Sequence, residues 1–594
     1  MRGGQCGGGF GPGHINAGHD HVSDAGRGRA LEHRVAVGIE PGVGQVDTDV
    51  DQAVELHSSI LLESVTMMKS DATADDRPMD WVGDWSGRRR LMTPSRTALI
   101  EPATARHWTY AELDERARRW AHWIVNDAGL AKGAVIALMT RNRREAVELF
   151  LAAGKTGVVI APVSHRLTAA EASALIRRLN PDWLIYDAAL AANVAGLDAS
   201  ALDGVTSLAF GTTGGGVEAA LSGQPTDPIN RALALSDPCL LVHTGGSTGL
   251  PKICRISHRQ MLWNAVELLV AADGGLPRRR ELVLFPLFHI GGWNTLLPIL
   301  YAGGCAILPE AFDPPAVLQA IDDHSVNHFG AVEAMLQALS ADPAFERHTL
   351  HALEAITTAG GPCAEARMAP FLARGITIRQ SYGLTEAGPS NFININDLNE
   401  SDDPALERRS IGTSFFHTDY RIVDPERLEP CDVDEPGELQ MRSPHDFDGY
   451  LDDAAGTTER WTVDGWIRSG DLACADAAGR VFIVGRLDNV IVSGGENIAA
   501  EEVEAVLQEH PDVSGALVFG VADTHWGERP VAWVTGDETL TDEALRDWLQ
   551  GRLARFKHPV VIECVESLPL TGAGKPDRRR AREQHQPISQ GGAP

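Results

Sequence analysis

The stretch HTGGSTGLPK, His243 to Lys252, puts three glycines, three hydroxyl side chains and one lysine directly behind the apolar run Cys239–Val242. Glycine tolerates backbone conformations that a Cβ forbids, and hydroxyls and free N–H groups are donors, so such a loop suits the oxygens of a polyanion, phosphate first. The spacing departs from the Walker A loop, which needs Gly and Lys adjacent; here Leu250 and Pro251 separate Gly249 from Lys252. Ile253–Ile256 reads as a second short strand. A capping box at Ser257 and Gln260 then opens a helix with Met261, Leu262, Ala265, Leu268 and Leu269 on one face. The loop therefore joins strand to strand, and taken alone it reads equally well as a flexible Gly/Ser turn.

Further polar clusters follow at loop positions between periodic segments. SYGLTEAG, 381–388, comes after a strand at Thr377–Arg379, and Gly470-Asp471-Leu472 comes after Trp466–Ser469. Gly485-Arg486-Leu487-Asp488 precedes SGGEN at 493–497, and TGAGK closes the series at 571–575. With HTGGSTGLPK, this order resembles the adenylate-forming superfamily of acyl-CoA synthetases, adenylation domains and luciferases, over roughly residues 85–582. The pattern is most similar to fatty-acid or aryl-acid CoA ligases.

The resemblance implies an ATP-dependent carboxylic acid–CoA ligase: acyl adenylate and pyrophosphate form first, and the acyl group then passes to the CoA thiol. It places Thr244, Gly245, Gly246, Ser247, Thr248, Gly249 and Lys252 on the β- and γ-phosphates, and Thr244 and Glu386 on Mg²⁺. Thr385 matches the family's Thr-Glu pair with Glu386. Tyr382, beside Gly383, is the stacking face for adenine, with Gly360 and Gly361 allowing close approach. Asp471 accepts the ribose hydroxyls, and Arg486 holds the ribose or phosphate side.

The resemblance further implies that Lys575 is the mobile catalytic lysine of the first half-reaction, that Asp488 is the hinge, and that Gly494 and Gly495 line the thiol tunnel of the second. His289 lies between acyl group and thiol route, or is a core histidine. Trp293, Asn294 and Gly388 border the acyl chain. Trp526 stacks on CoA adenine, or is a surface packing residue. Two departures stand out: His558 is the one basic group after Lys557 where relatives carry several for the CoA 3′-phosphate, and Pro576 follows Lys575. A second reading keeps adenylation but uses another acceptor, such as a carrier protein in trans or an amine.

These residues need rigid elements to position them. Ala111–Val125 reads as an amphipathic helix, Ala134–Met139 as a strand, Arg144–Gly154 as a helix and Gly157–Val163 as a strand, the alternation of a parallel α/β sheet. After Asp488 the pattern turns α+β: helix Glu501–Glu509, strands Ala516–Val521 and Val531–Val534, helix Asp542–Ala554. The expected organisation is a disordered extension over 1–75, a large α/β domain with a small β subdomain over 76–487, a small mobile α+β domain over 488–582, and a flexible tail over 583–594. The first 66 residues are glycine-rich and aperiodic, and Met67 or Met68 is a candidate native start. His14, His19 and His21 read there as solvated histidines rather than a metal tract.

A formal net charge of −29 over 594 residues argues against nucleic acid or anionic membrane as partner. The eight cysteines are scattered without a C-x-x-C pair, which points to reduced thiols and a cytoplasmic enzyme. The longest run without Asp, Glu, Lys or Arg, Leu282–Pro309, holds glycines, prolines, His289 and Asn294, and reads as buried strand, loop and helix rather than a membrane span.

Overall fold

A computed structural model describes residues 76–212, 215–244, 251–272, 275–394, 403–493, 496–523, 525–537, 539–570 and 576–585. Among them the strands form four sheets. One has six strands in the order Thr206–Phe210, Trp183–Asp187, Val135–Met139, Val159–Pro162, Pro238–Thr244 and Lys252–Ser257, parallel except for the last pair. A nine-stranded sheet has a parallel centre built from Thr377–Tyr382, Ala355–Thr358, His328–Ala331, Arg280–Leu282, Cys305–Ile307 and Thr97–Glu101. Strands such as VIALM and VIAP are apolar throughout because a parallel sheet is covered on both faces.

The helix Tyr110–Asn126 starts at a capping box between Thr109 and Glu112. It packs beside the helix Arg144–Thr156, which is buried along its whole length. That burial forces its charges into pairs: Glu148 takes Arg116 at 3.0 Å, and Lys155 takes Asp114 at 2.7 Å. An antiparallel four-stranded sheet follows (Asp419–Val423, Gly437–Arg442, Ile467–Ala475, Val481–Arg486). The small C-terminal domain is α+β: Val490–Ser493, Glu496–Ala499, Val513–Asp523, Gly527–Gly536 and Val561–Cys564 form its sheet, with helices Ala500–Gln508, Asp542–Leu549 and Arg578–Gln584.

The architecture is the expected one, and local readings differ in instructive places. The last long helix stops at Leu549 rather than Ala554: its Gln550 C-cap is extended, and Gly551 takes a left-handed φ of 75°. Gly470-Asp471-Leu472 and Gly485-Arg486 are not loop residues; they lie inside the paired strands Ile467–Ala475 and Val481–Arg486. Polar residues mid-strand read as loop when their partners lie on the next strand. The segment 282–309 is strand, loop, helix Ile290–Ala302 and strand Cys305–Ile307, and no helix among the described residues is long and apolar enough to cross a membrane.

Candidate active site

The phosphate-loop candidate sits on an antiparallel hairpin. Thr244 pairs with Lys252 in register, and Thr244 Oγ1 donates to the Lys252 carbonyl at 3.4 Å. The strands thus deliver both ends of 245–250 to one place. Gly245, Gly246, Ser247, Thr248 and Gly249 lie outside the described residues, as do Gly494, Gly495, Lys575 and the extension with His14, His19 and His21. The Lys252 ammonium stands 4.7 Å from the centre of the Tyr450 ring, which holds a cation at the mouth of the hairpin.

Tyr450 ties that cation to Glu386. Its hydroxyl donates to Glu386 Oε1 at 2.6 Å, and Arg460 Nη2 reaches the same oxygen at 3.1 Å. Arg460 Nε also donates to Tyr450 Oη at 3.1 Å, and its Nη1 to the carbonyls of Arg468 and Ser469. Burial and the Glu386 charge push the Tyr450 hydroxyl far above its ordinary value, so it stays a donor. Against burial, which lowers it, Glu386 and Tyr450 hold the Arg460 guanidinium above its usual value. The backbone is fixed as well: Phe447 N donates to the Glu386 carbonyl at 2.8 Å and Gln260 Nε2 to that of Thr385 at 2.9 Å. Tyr450 and Arg460 are absent from the sequence-derived set, because they lie 64 and 74 residues from Glu386 with no local pattern marking them.

A second cluster is built on the strand pair. Asp471 and Arg486 face each other in register, with Arg486 Nη1 3.0 Å from Asp471 Oδ1, and the Tyr382 hydroxyl donates to Asp471 Oδ2 at 2.5 Å. Burial raises the Asp471 carboxyl, opposed by Arg486 and Tyr382. Burial and Asp471 together lift the Tyr382 hydroxyl well above its usual range. Tyr382 therefore anchors its hydroxyl and leaves the ring for stacking. Gly383 is required here: a Cβ would come within 2.2 Å of the Pro389 carbonyl oxygen. Gly361 has open space where a Cβ would stand, as close approach of a ligand needs.

His289 is exposed, not a core histidine; it caps the helix Ile290–Ala302, Nδ1 accepting from Gly291 N at 3.2 Å. Trp293 is fully buried against Phe150, whereas Asn294 Nδ2 donates to Ser390 Oγ at 3.1 Å, linking that helix to the segment after Glu386. Trp526 is 47% exposed at the turn between Val513–Asp523 and Gly527–Gly536, its face available to a planar ligand. Asp488 lies in the short turn Leu487–Asn489 joining the two domains' sheets, where Glu501, another unpredicted residue, accepts from Asn489 Nδ2 at 2.5 Å.

The donor set fits magnesium carried in with a polyphosphate. Both Glu386 bonds fall on Oε1, which leaves Oε2 for a hard cation, and the Thr244 hydroxyl is a further oxygen. Among the described residues no group of three or more His, Cys, Asp or Glu could hold a metal by itself, so the remaining ligands would be phosphate and water oxygens.

Fold and site define an adenylate-forming enzyme. The chain belongs to the AMP-binding enzyme family, whose model matches residues 88–451, with the AMP-binding enzyme C-terminal domain at 502–575. It is 35% identical over 497 residues to a feruloyl-CoA synthase of an Amycolatopsis species, covering 83% of this chain and 97% of that one. An indoleacetate–CoA ligase of Aromatoleum aromaticum is 31% identical over 512 residues, covering 83% and 96%. Among solved structures, o-succinylbenzoate CoA synthetase from Bacillus subtilis with its acyl-adenylate intermediate superposes with a TM-score of 0.75 at 25% identity, over 86% of this chain and 99% of that one.

Proposed function

We propose that this cleft activates an aromatic carboxylic acid with Mg-ATP, and that the residues above carry the reaction. The enzyme is an ATP-dependent, AMP-forming acid–CoA ligase. The acid's carboxylate attacks the α-phosphorus and expels pyrophosphate; the CoA thiol then attacks the acyl carbon and AMP leaves. The observation that carries the site assignment is the Tyr382–Asp471–Arg486 cluster: a carboxylate, a ring face and a guanidinium converge as ribose, adenine and phosphate would require. Thr244, Lys252 and the loop between them would donate to the leaving pyrophosphate. Bound at Glu386 and Thr244, magnesium would neutralise charge on the phosphates.

Lys575 would hold acid and α-phosphate together in the first step, with the domains divided at 76–487 and 488–582 and turning at Asp488. The names of the relatives support CoA as acceptor and an aryl acid as substrate. Seven cysteines among the described residues are free, which supports the cytoplasmic location. The test is acid-dependent pyrophosphate release across aliphatic, aryl and amino-aryl acids, with and without CoA. AMP and acyl-CoA should form with an aryl acid. Release that ignores CoA would point to another acceptor.

A further inference from the structure

The inner face of the nine-stranded sheet carries a polar chain that the reaction does not use. On the strand Ala355–Thr358, Ile356 and Thr358 are buried against helices on the outer side. Ala355 and Thr357, with Ala359 beyond the strand end, alternate with them and are only half-buried, so the inner face is partly accessible. Thr357 sits beside Gly330 in register. Phe285 covers Gly330: a Cβ there would come within 2.7 Å of the ring, and the same ring lies 3.5 Å from the Cβ position of Gly291 in the first turn after His289. Farther along, Val332 lies 3.5 Å from the Cβ position of Gly360. A continuous wall therefore runs from His289 and Gly360 down past Phe285 to Thr357.

At its foot, Thr357 Oγ1 lies 2.9 Å from His328 Nε2, and His328 Nδ1 lies 2.8 and 3.0 Å from the two oxygens of Glu281. His328 and Glu281 are buried, 8% and 3% exposed. The carboxylate fixes the proton on Nδ1, so Nε2 is an acceptor and the Thr357 O–H must point at it. Burial lowers the His328 pKa, which keeps the ring neutral. With its own proton committed to His328, Thr357 Oγ1 is left as a hydrogen-bond acceptor.

We propose that Thr357, oriented by His328 and Glu281, is a specificity-determining residue that accepts a hydrogen bond from an O–H or N–H donor at the ring end of an aromatic acid. This rests on the acid–CoA ligase reading. A phenol satisfies it; its methyl ether is larger by a methyl group, offers no proton, and leaves the acceptor side of Thr357 Oγ1 unfilled.

The experiment measures AMP formation with CoA for hydroxy, methoxy and unsubstituted benzoates, phenylacetates and cinnamates, which vary the distance from ring to carboxylate. For at least one length, wild type should favour the para-hydroxy over the para-methoxy acid by about tenfold or more in kcat/KM. Thr357→Val should bring that ratio to within about twofold of one through loss on the hydroxy acid alone, and Thr357→Ser should restore it. AMP formation from any of these acids sustains the ligase reading independently of the ratio. A wild-type ratio near one at every length would overturn the proposal without any variant. So would equal loss on both acids in Thr357→Val, the mark of a merely structural hydroxyl. No AMP from any acid would overturn both readings.

Discussion

Arg460 grips the Glu386 carboxylate: its Nη2 is 3.1 Å from Glu386 Oε1, and its other nitrogens are spent on Tyr450, Arg468 and Ser469. Such a tether fixes Oε1 and the rotamer, so that Oε2 would meet magnesium, if Glu386 holds it as proposed, without reorganisation. Glu386→Ala should lose turnover by about two orders of magnitude through lost charge stabilisation. Arg460→Met should leave the carboxylate but lose its orientation, raising the half-saturating magnesium concentration several-fold with a smaller effect on kcat at saturation. A magnesium titration of the two variants checks this. An unchanged magnesium dependence in Arg460→Met would separate Arg460 from the metal.

Asp471 is the residue for which ribose recognition has a clean chemical test. If its two oxygens accept the 2′- and 3′-hydroxyls, ATP should outperform 2′,3′-dideoxy-ATP in wild type. Asp471→Asn should raise the KM for ATP about tenfold or more and narrow that preference, since a charged acceptor contributes about 1.5–3 kcal/mol. Tyr382→Phe removes only the 2.5 Å bond to Oδ2 and should cost less. A preference for ATP that survives intact in Asp471→Asn would move the ribose elsewhere.

The difference between Asp471 and Arg460 shows what the sequence carried. The hairpin, the parallel sheets and the order of the Gly-rich and acidic motifs were legible because each is local: apolar runs, turn residues and short spacings. Asp471 reads as a loop residue in the sequence, since its mid-strand position depends on pairing with Arg486, just before a bulge at Leu472 and Ala473. Tyr450, Arg460 and Glu501 were not legible at all. They act on Glu386 and on the Leu487–Asn489 turn through contacts that only the fold creates. Exposure at a helix cap removes the core reading of His289, and its place between acyl group and thiol route stays a proposal.

The CoA end of the site carries its own prediction. After the helix Asp542–Leu549, Lys557 Nζ lies 2.6 Å from Glu502 and His558 Nε2 lies 3.1 Å from the Leu553 carbonyl, while Arg555 is exposed. A 3′-phosphate at this segment would find no uncommitted ammonium or imidazole. CoA and dephospho-CoA should therefore give KM values within about twofold of each other, against the roughly tenfold or greater gap that one charge-assisted contact produces. A strong preference for CoA would assign the phosphate to an arginine, Arg555 first.

Lys575 separates a two-pose mechanism from a fixed site. It lies in a Gly-containing segment, TGAGK, beyond the turn at Asp488, and in the proposed mechanism a turn of the small domain would bring its ammonium to the cleft and withdraw it. If the ammonium stabilises charge only while the carboxylate attacks phosphorus, Lys575→Ala should cost adenylation about 3–4 kcal/mol, a 10²–10³-fold loss. Thioester formation should be spared, because in that pose the domain has turned and the lysine is far from the acyl carbon. The measurement gives the variant presynthesised acyl adenylate with CoA and compares the rate with that from acid, ATP and CoA. Equal damage in both assays would mean that Lys575 supports the fold or a single rigid site. A loss confined to the assay from acid, ATP and CoA is the outcome expected of an ammonium that is withdrawn before the thiol attacks.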